Sequence, residues 1–427
     1  MTGPDRRHLW LAACSLALAG CGAKATSTPA PTATALDATP PGPTHEALDV
    51  PVVLACHGPE FSGNAAPDIV WTGTELLVTR AINGELYLSR IGRDGVLRSS
   101  EVVRLDGRFR FDDQRWRLPG RWAAGRFRSV LVGRDPSSIL VAEGAVQGPW
   151  NVTAVSPSGS ETAYLTASEG AVMVDGVALI RLTPTDKEYV FHNALEIARR
   201  HGSVVLDPGC DRIDQVVTTQ WGLALLCDNQ TPWAENIPSE GRDYRRTIVG
   251  IKDDRVAWRF DGTDPALWEV VIGTDGDNLL IVQASRTKAD RERHPDQLRA
   301  LRLDRDGRLI GQPFMTAGRL GAVPPYRMVW TGKEYALAEE DSFTRFDSEG
   351  HGLGTWFYEP DCGRDNADPM MVWMGDAYAL CSWHHTVYQP DEAEYAAYCE
   401  EVKAFMPLYP ALRVPPEAPA PTPSTDP

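Results

Sequence analysis

Three stretches far apart in the chain are nearly the same hairpin. Ile69-Val70-Trp71-Thr72-Gly73-Thr74-Glu75-Leu76-Leu77-Val78 is repeated almost residue for residue by Met328-Val329-Trp330-Thr331-Gly332-Lys333-Glu334-Tyr335-Ala336-Leu337, and a third copy runs from Met371 through Trp373 and Gly375 to Leu380. Each is a short apolar run, a turn built on Gly and a second apolar run, the pattern of two paired antiparallel strands. Weaker copies turn at Gly222, within Val216 to Leu226, and at Gly276, within Val270 to Val282. A second hairpin follows in several copies, built on Asp94-Gly95, Asp306-Gly307 and Glu349-Gly350. Acidic-Gly dipeptides supply the positive backbone angles of tight hairpins. Each unit is therefore two hairpins, or four antiparallel strands.

A unit of that kind exposes both faces of a small sheet and must stack on its neighbours, so the chain is expected to be all-β, a β-propeller of about seven four-stranded blades. The turn signals are Gly73, a degenerate one near Gly125, Gly159, Gly222, Gly276, Gly332 and Gly375. Divided among seven, residues 49–406 give about 51 residues per blade; six blades of about 60 are the alternative count. A pair of β-sandwiches leaves the near-identical hairpins at Gly332 and Gly375 unexplained. In wording the repeats resemble those of bacterial propeller proteins, without the WD dipeptide or the kelch double-Gly pattern. That resemblance covers most of the chain and is one of architecture, which does not fix function.

The N-terminus carries an address. Arg6 and Arg7 precede the apolar run Leu9 to Ala19, which is too short to span a bilayer, and then comes Leu18-Ala19-Gly20-Cys21. Charged start, short apolar stretch and small residues are the order of a secretory signal. Leu18-Ala19-Gly20-Cys21 resembles the lipobox of bacterial lipoproteins, which implies a signal peptide over 1–20, acylation of the Cys21 thiol and a mature chain anchored to a membrane through lipid, palmitate included. Gly22 stands where an inner-membrane retention Asp would sit, so the resemblance implies the outer membrane of a Gram-negative cell envelope. An ordinary secretory signal with Cys21 incidental is the plainer alternative.

Residues 21–48 follow as a tether. From Ala25 to Leu48, 17 of 24 residues are Pro, Thr or Ala, and such a segment lacks the apolar surface to fold. As a random coil it reaches about 25–30 Å. The stretch 407–427, with eight Pro in 21 residues, is expected to be a disordered tail, leaving 49–406 as the folded body.

Six cysteines remain beyond Cys14 and Cys21: Cys56, Cys210, Cys227, Cys362, Cys381 and Cys399. In an exported protein they are expected to pair. Repeat logic places Cys210 in the loop entering the hairpin at Gly222 and Cys227 at the end of its second strand, with Cys362 and Cys381 in the equivalent places around Gly375. Cys56 and Cys399, near the two ends of the body, would then close the ring. Six buried thiols are the alternative.

Chemistry is harder to find. The formal charge is −16, and −17 once Asp5, Arg6 and Arg7 leave with the signal, which speaks against nucleic acid as a partner. No nucleophile elbow, phosphate loop, HExxH or CxxC is present, nor the Asp-boxes of sialidases, and no catalytic residue is assigned. His384 and His385 are adjacent and so point to opposite faces of a strand, and no metal site is assigned. Two constellations stand out. Asp68, Asp214, Glu269 and Asp368 each precede an innermost strand, which places them near one mouth of a central channel, where they could hold Ca²⁺ or receive a basic partner; unrelated strand-entry residues are the alternative. From Arg104 to Arg134 there are nine Arg, including Arg108, Arg110, Arg115 and Arg117, interleaved with rings such as Trp116 and Trp122. Arg forks and stacking rings suit an anionic glycan, a lipid headgroup or an acidic protein, although the alternation also fits strands with Arg in solvent and rings in the core.

The expected function is a noncatalytic binding or scaffold module, tethered by Cys21, for an envelope protein or polysaccharide. A glycan-acting hydrolase or lyase, with the four carboxylates as acid and base, is the rival. Neither oligomeric state nor orientation toward periplasm or surface follows from the sequence.

Overall fold

The computed structural model describes residues 50–55, 68–82, 85–103, 120–123, 125–132, 139–145, 150–155, 163–166, 173, 176–184, 191–199, 202–229, 245–264, 267, 269–284, 297–318, 320, 327–338, 342–357, 366–384 and 412–413. They form seven four-stranded sheets and, among the described residues, no helix. The protein is an all-β, seven-bladed propeller.

Blade 1 is β2 (Asp68–Trp71), β3 (Leu76–Ile82), β4 (Glu85–Ile91) and β5 (Leu97–Val103). Blade 2 is β6 (Gly120–Ala123), β7 (Arg126–Val132), β8 (Ile139–Gly144) and β9 (Trp150–Val155). Blade 3 is β10 (Ala163–Thr166), β11 (Gly176–Pro184), β12 (Phe191–Arg199) and β13 (Gly202–Cys210). Blade 4 is β14 (Arg212–Thr218), β15 (Leu223–Asn229), β16 (Arg245–Lys252) and β17 (Arg255–Phe260). Blade 5 is β18 (Glu269–Thr274), β19 (Leu279–Ala284), β20 (Gln297–Leu303) and β21 (Phe314–Ala317). Blade 6 is β22 (Arg327–Trp330), β23 (Glu334–Ala338), β24 (Ser342–Asp347) and β25 (Gly352–Phe357). All six are antiparallel meanders.

First strands of neighbouring blades pack on one another, β2 on β6, β14 on β18 and β18 on β22, so they surround the axis. In a four-strand meander the first–second and third–fourth turns share one face, here the turn face. First strands start and fourth strands end at the opposite face, here the mouth.

The seventh blade departs from the expected two hairpins. β26 (Asn366–Trp373) and β27 (Tyr378–His384) form its inner hairpin, but its third strand is β1 (Val52–Leu54) and its fourth is β28 (Leu412–Arg413). β1 lies parallel to both neighbours, Val52 opposite Tyr378 on one side and Leu412 on the other. The two ends of the body thus close the ring in one sheet. Leu412 and Arg413, within 407–427, pair with Val52 and Val53 of β1.

The repeated hairpin has a physical logic. Gly73, Gly332 and Gly375 hold φ near +100°, at 101°, 95° and 98°, where a side chain is strained. After the Trp, Thr72 Oγ1 donates to Glu75 O at 2.8 Å and accepts from Glu75 N at 3.0 Å; Thr331 does the same for Glu334. Trp71, Trp330 and Trp373 each end a first strand and wedge against the preceding blade, joining cores that hold Met374 and Ala379, Val271 and Leu280, and Ala336 and Phe343 respectively. The hydrophobic core is therefore a series of inter-blade seams.

Six of the seven turn signals fall between first and second strands. Gly159 does not: it lies in sequence between β9 and β10, outside the described residues, while the first hairpin of blade 3 joins Thr166 to Gly176. Blade 4 turns on a pair the sequence pattern did not reveal, Asp253 and Asp254, at φ 48° and 56°, the two positive angles of a type I′ turn.

A disulfide joins Cys210 to Cys227 with Cα atoms 5.3 Å apart. Cys210 ends the outer strand of blade 3 rather than lying in a loop, and Cys227 lies in the second strand of blade 4, so the bond staples two blades. Cys381 in β27 is also disulfide-bonded, its partner lying outside the described residues, as do Cys21, Cys56, Cys362 and Cys399.

Candidate functional site

The mouth is where first strands begin, and the four carboxylates singled out above all lie on first strands near it: Asp68 and Glu269 open β2 and β18, Asp214 is third in β14 and Asp368 third in β26. They are within the strands rather than ahead of them. The strands bring them to one face. Among the described residues no three His, Cys, Asp or Glu side chains converge to hold a metal.

Asp68 is 3% exposed, and a buried carboxylate must be satisfied by donors or a cation. One oxygen accepts from the Ile69 amide at 2.8 Å and from Arg327 Nη1 at 2.9 Å. The other accepts from the Gly120 amide. Arg327 also reaches Ile69 O at 3.4 Å. Asp68 therefore ties blade 1 to β6 of blade 2 and, past the first strand of blade 7, to blade 6. At Gly120 a Cβ would stand 2.7 Å from the Phe127 ring, so the absent side chain makes room for Phe127 of the same blade.

Asp214 belongs to a second cluster. Arg212 Nε donates to it at 2.6 Å and Arg212 Nη2 to the fully buried Asp228 at 3.1 Å. Arg246 pairs with both carboxylates, at 3.4 Å from Asp228. Two carboxylates share two guanidiniums, and charge balances within the cluster. Between Asp214 and Glu269 the blades are stitched by Gln215, whose amide donates to Ile272 O at 2.8 Å and accepts from Ile272 N at 2.9 Å, as a peptide group would. Glu269 is buried. The side chain of Asp368 is outside the described residues.

Of the arginine-rich stretch, β6 and the start of β7 are described. Arg108, Arg110, Arg115, Arg117 and Trp116 lie in the connection from β5 to β6, outside the described residues. Trp122 is on β6, half-buried and paired across the hairpin with Phe127. Arg121 stands opposite Arg128, and burial together with the Arg128 charge lowers its pKa. Arg128 is held by Glu143 at 2.9 Å and donates to Met173 O at 3.2 Å, and Arg126 binds Glu143 at 2.7 Å. Burial pushes the Glu143 carboxyl up, but the hydrogen bonds and charges of Arg128 and Arg126 outweigh it and hold the group below the usual glutamate range.

Sequence reasoning found the acids and missed the cations that bind them. The signal was available for Arg327. Aligning the copies on Trp71 and Trp330 places Arg327 at the position of Asp68, so opposite charges occupy equivalent places in two blades. Chemically, Asp68 and Asp214 are carboxylates paired with guanidiniums on first strands near the mouth.

No protein-family model matches the sequence, and no curated protein is similar to it in sequence. Among solved structures, a protein described as TolB from Agrobacterium tumefaciens is similar over 75% of this chain and 90% of its own, at 11% identity and a TM-score of 0.36. A calcium-binding protein from the same organism, regucalcin, is similar over 81% and 92%, at 11% identity and a TM-score of 0.35. A puromycin-hydrolyzing peptidase of Mycobacterium tuberculosis is similar over 73% of this chain and 51% of its own, at 12% identity and a TM-score of 0.37. These likenesses assign no residue a role.

Proposed function

We propose that the chain is a lipid-anchored envelope protein whose propeller is a noncatalytic binding module, with the mouth as its recognition face for an envelope protein or polysaccharide. The observation that supports this most is the state of the charged groups there. General acid–base chemistry needs a carboxyl able to exchange a proton with a substrate. Asp68 is engaged by two backbone amides and a guanidinium, which ties blade 1 to blades 2 and 6, and Asp214 by Arg212 and Arg246 within blade 4; both carboxylates are committed to structural pairs. The arginine-rich connection that precedes β6 in sequence is the proposed recognition element.

Affinity capture tests the reading. The full chain, extracted from envelope with detergent, is expected to retain a stoichiometric protein or a polysaccharide, identified by mass spectrometry, and to lose it in Arg108→Ser/Arg110→Ser. Recovery of shortened glycan fragments would replace binding with catalysis. Failure to retain anything, with the variant indistinguishable from wild type, would overturn it. Intact mass tests the anchor: a mature chain starting at Cys21 with fatty acyl groups is expected, and Cys21→Ser should carry none.

A further inference from the structure

We propose that the turn face is the membrane side of the propeller and that its rim over blades 3 to 5 makes a second contact with the lipid surface; this rests on the lipid anchor proposed above.

The first argument is where the chain enters. β1 is parallel to β27 and begins opposite Tyr378, the residue that leaves the Gly375 turn, and Tyr378 N donates to Pro51 O at 2.9 Å. Residues 50–52 thus stand on the turn face, at blade 7. The chain therefore enters the propeller from the turn face, which is the face a lipid surface held through the preceding residues reaches by the shortest path.

The second argument is the distribution of exposed apolar side chains. Among the described residues, five large hydrophobics are exposed: Val102, Val204, Val205, Leu309 and Ile310. Val102 is near the mouth end of β5. The other four belong to the turn face, Val204 and Val205 at the start of β13 and Leu309 and Ile310 in the loop after the Asp306-Gly307 turn. Leu309 is 43% and Ile310 37% exposed, next to Arg308, whose side chain is 78% exposed. Aliphatic side chains flanked by arginine are the chemistry of an interfacial contact, apolar groups entering the acyl boundary and guanidiniums meeting phosphate.

The loop is built to present them. Leu303 bridges Leu309, Ile310 N donates to Arg302 O at 2.9 Å, and Trp258 Nε1 donates to Arg305 O at 2.9 Å. Two of the nearby acids are paired, Asp306 with Lys252 at 2.6 Å and Asp254 with both ends of Arg199 at 2.5 and 2.8 Å, while Asp277 is exposed at the first turn of blade 5. Asp253 stays exposed at the blade 4 turn, which fits contact at headgroup depth rather than deep insertion. Blade 3, with Val204 and Val205, lies three places from blade 7 in the ring of seven, and blade 5, with Leu309 and Ile310, lies two places from it on the other side, so anchor and rim together set the ring flat on the bilayer. Two aliphatic side chains bind a membrane weakly on their own; a tether makes the contact intramolecular and raises its effective concentration.

The test uses the lipidated full chain in phosphatidylethanolamine–phosphatidylglycerol vesicles. An environment-sensitive fluorophore is placed on Leu309→Cys and, separately, on Val102→Cys, with unchanged melting as the folding control. Nitroxide lipids are expected to quench position 309 several-fold more than position 102, and Leu309→Asp/Ile310→Asp should make the turn face protease-accessible while the acyl groups remain. Equal quenching, or stronger quenching at 102, overturns the proposal. Intact mass of the same sample separates the failures: acyl groups present with 309 in water refutes the rim contact alone, and acyl groups absent refutes anchor and rim together.

Discussion

Glu334 shows what single residues contribute here. It lies buried in β23, takes a two-pronged ion pair from Arg345 at 2.8 and 2.7 Å and accepts from Tyr378 of blade 7 at 2.5 Å. Arg345 is fully buried, its guanidinium 5.3 Å from the Trp356 ring. Replacing one partner leaves a charge stranded in a dry seam, so Glu334→Leu is expected to cost about 3–5 kcal/mol in urea unfolding, with part recovered in Glu334→Leu/Arg345→Met. The equivalent pair in blade 1, Glu75 and Arg90 at 3.0 Å, is partly in water, and Glu75→Gln should cost about 0–1 kcal/mol. Comparable costs at the two sites would show that burial is not the deciding variable. Glu143 carries the pH dependence. Its folded pKa is depressed by Arg128 and Arg126 against the opposing effect of burial, so the stability it contributes is present above the ordinary glutamate pKa and lost as pH falls through the folded value. Melting curves of wild type and Glu143→Gln should therefore differ at neutral pH and converge in acid; a gap that widens on acidification would contradict that sign.

At the scale of elements, the disulfide between β13 and β15 closes a loop of 17 residues, and removing it as Cys210→Ser/Cys227→Ser should cost about 3 kcal/mol, read from denaturant midpoints with and without reductant. The hairpins were legible because their determinants are local. Gly73, Gly332 and Gly375 announce a positive φ, and the Trp-Thr-Gly order encodes both the wedge and the threonine cap. The Asp253-Asp254 turn was opaque because neither residue demands a positive φ; the partners of β16 and β17 impose it. The mouth was half legible. Strand position placed Asp68, Asp214 and Glu269, since a residue opening a first strand has one place to be. Their partners were hidden because Arg327 meets Asp68 only once the ring curves past blade 7. The seventh blade was the least legible, because β1 and β28 are short, unpatterned and paired with distant segments.

At the scale of the whole molecule, one sheet joins the two ends of the propeller. Deleting residues 1–55 would remove β1 and expose the edge of β27, an open template for strand pairing. Such a chain is expected to lose its cooperative melt and to self-associate, measured by calorimetry and light scattering; a monomer melting as sharply as wild type would mean the ring holds without its clasp. β1 has another consequence, in time. It is among the first described segments to leave the ribosome, and its neighbours Tyr378 and Leu412 come more than 300 residues later. Six blades can form as local meanders while β1 waits, but the circle cannot shut until β27 and β28 are in place. Contacts of such long range make closure the slow step, so for much of its folding the protein is an open arc with an unclaimed edge at either end.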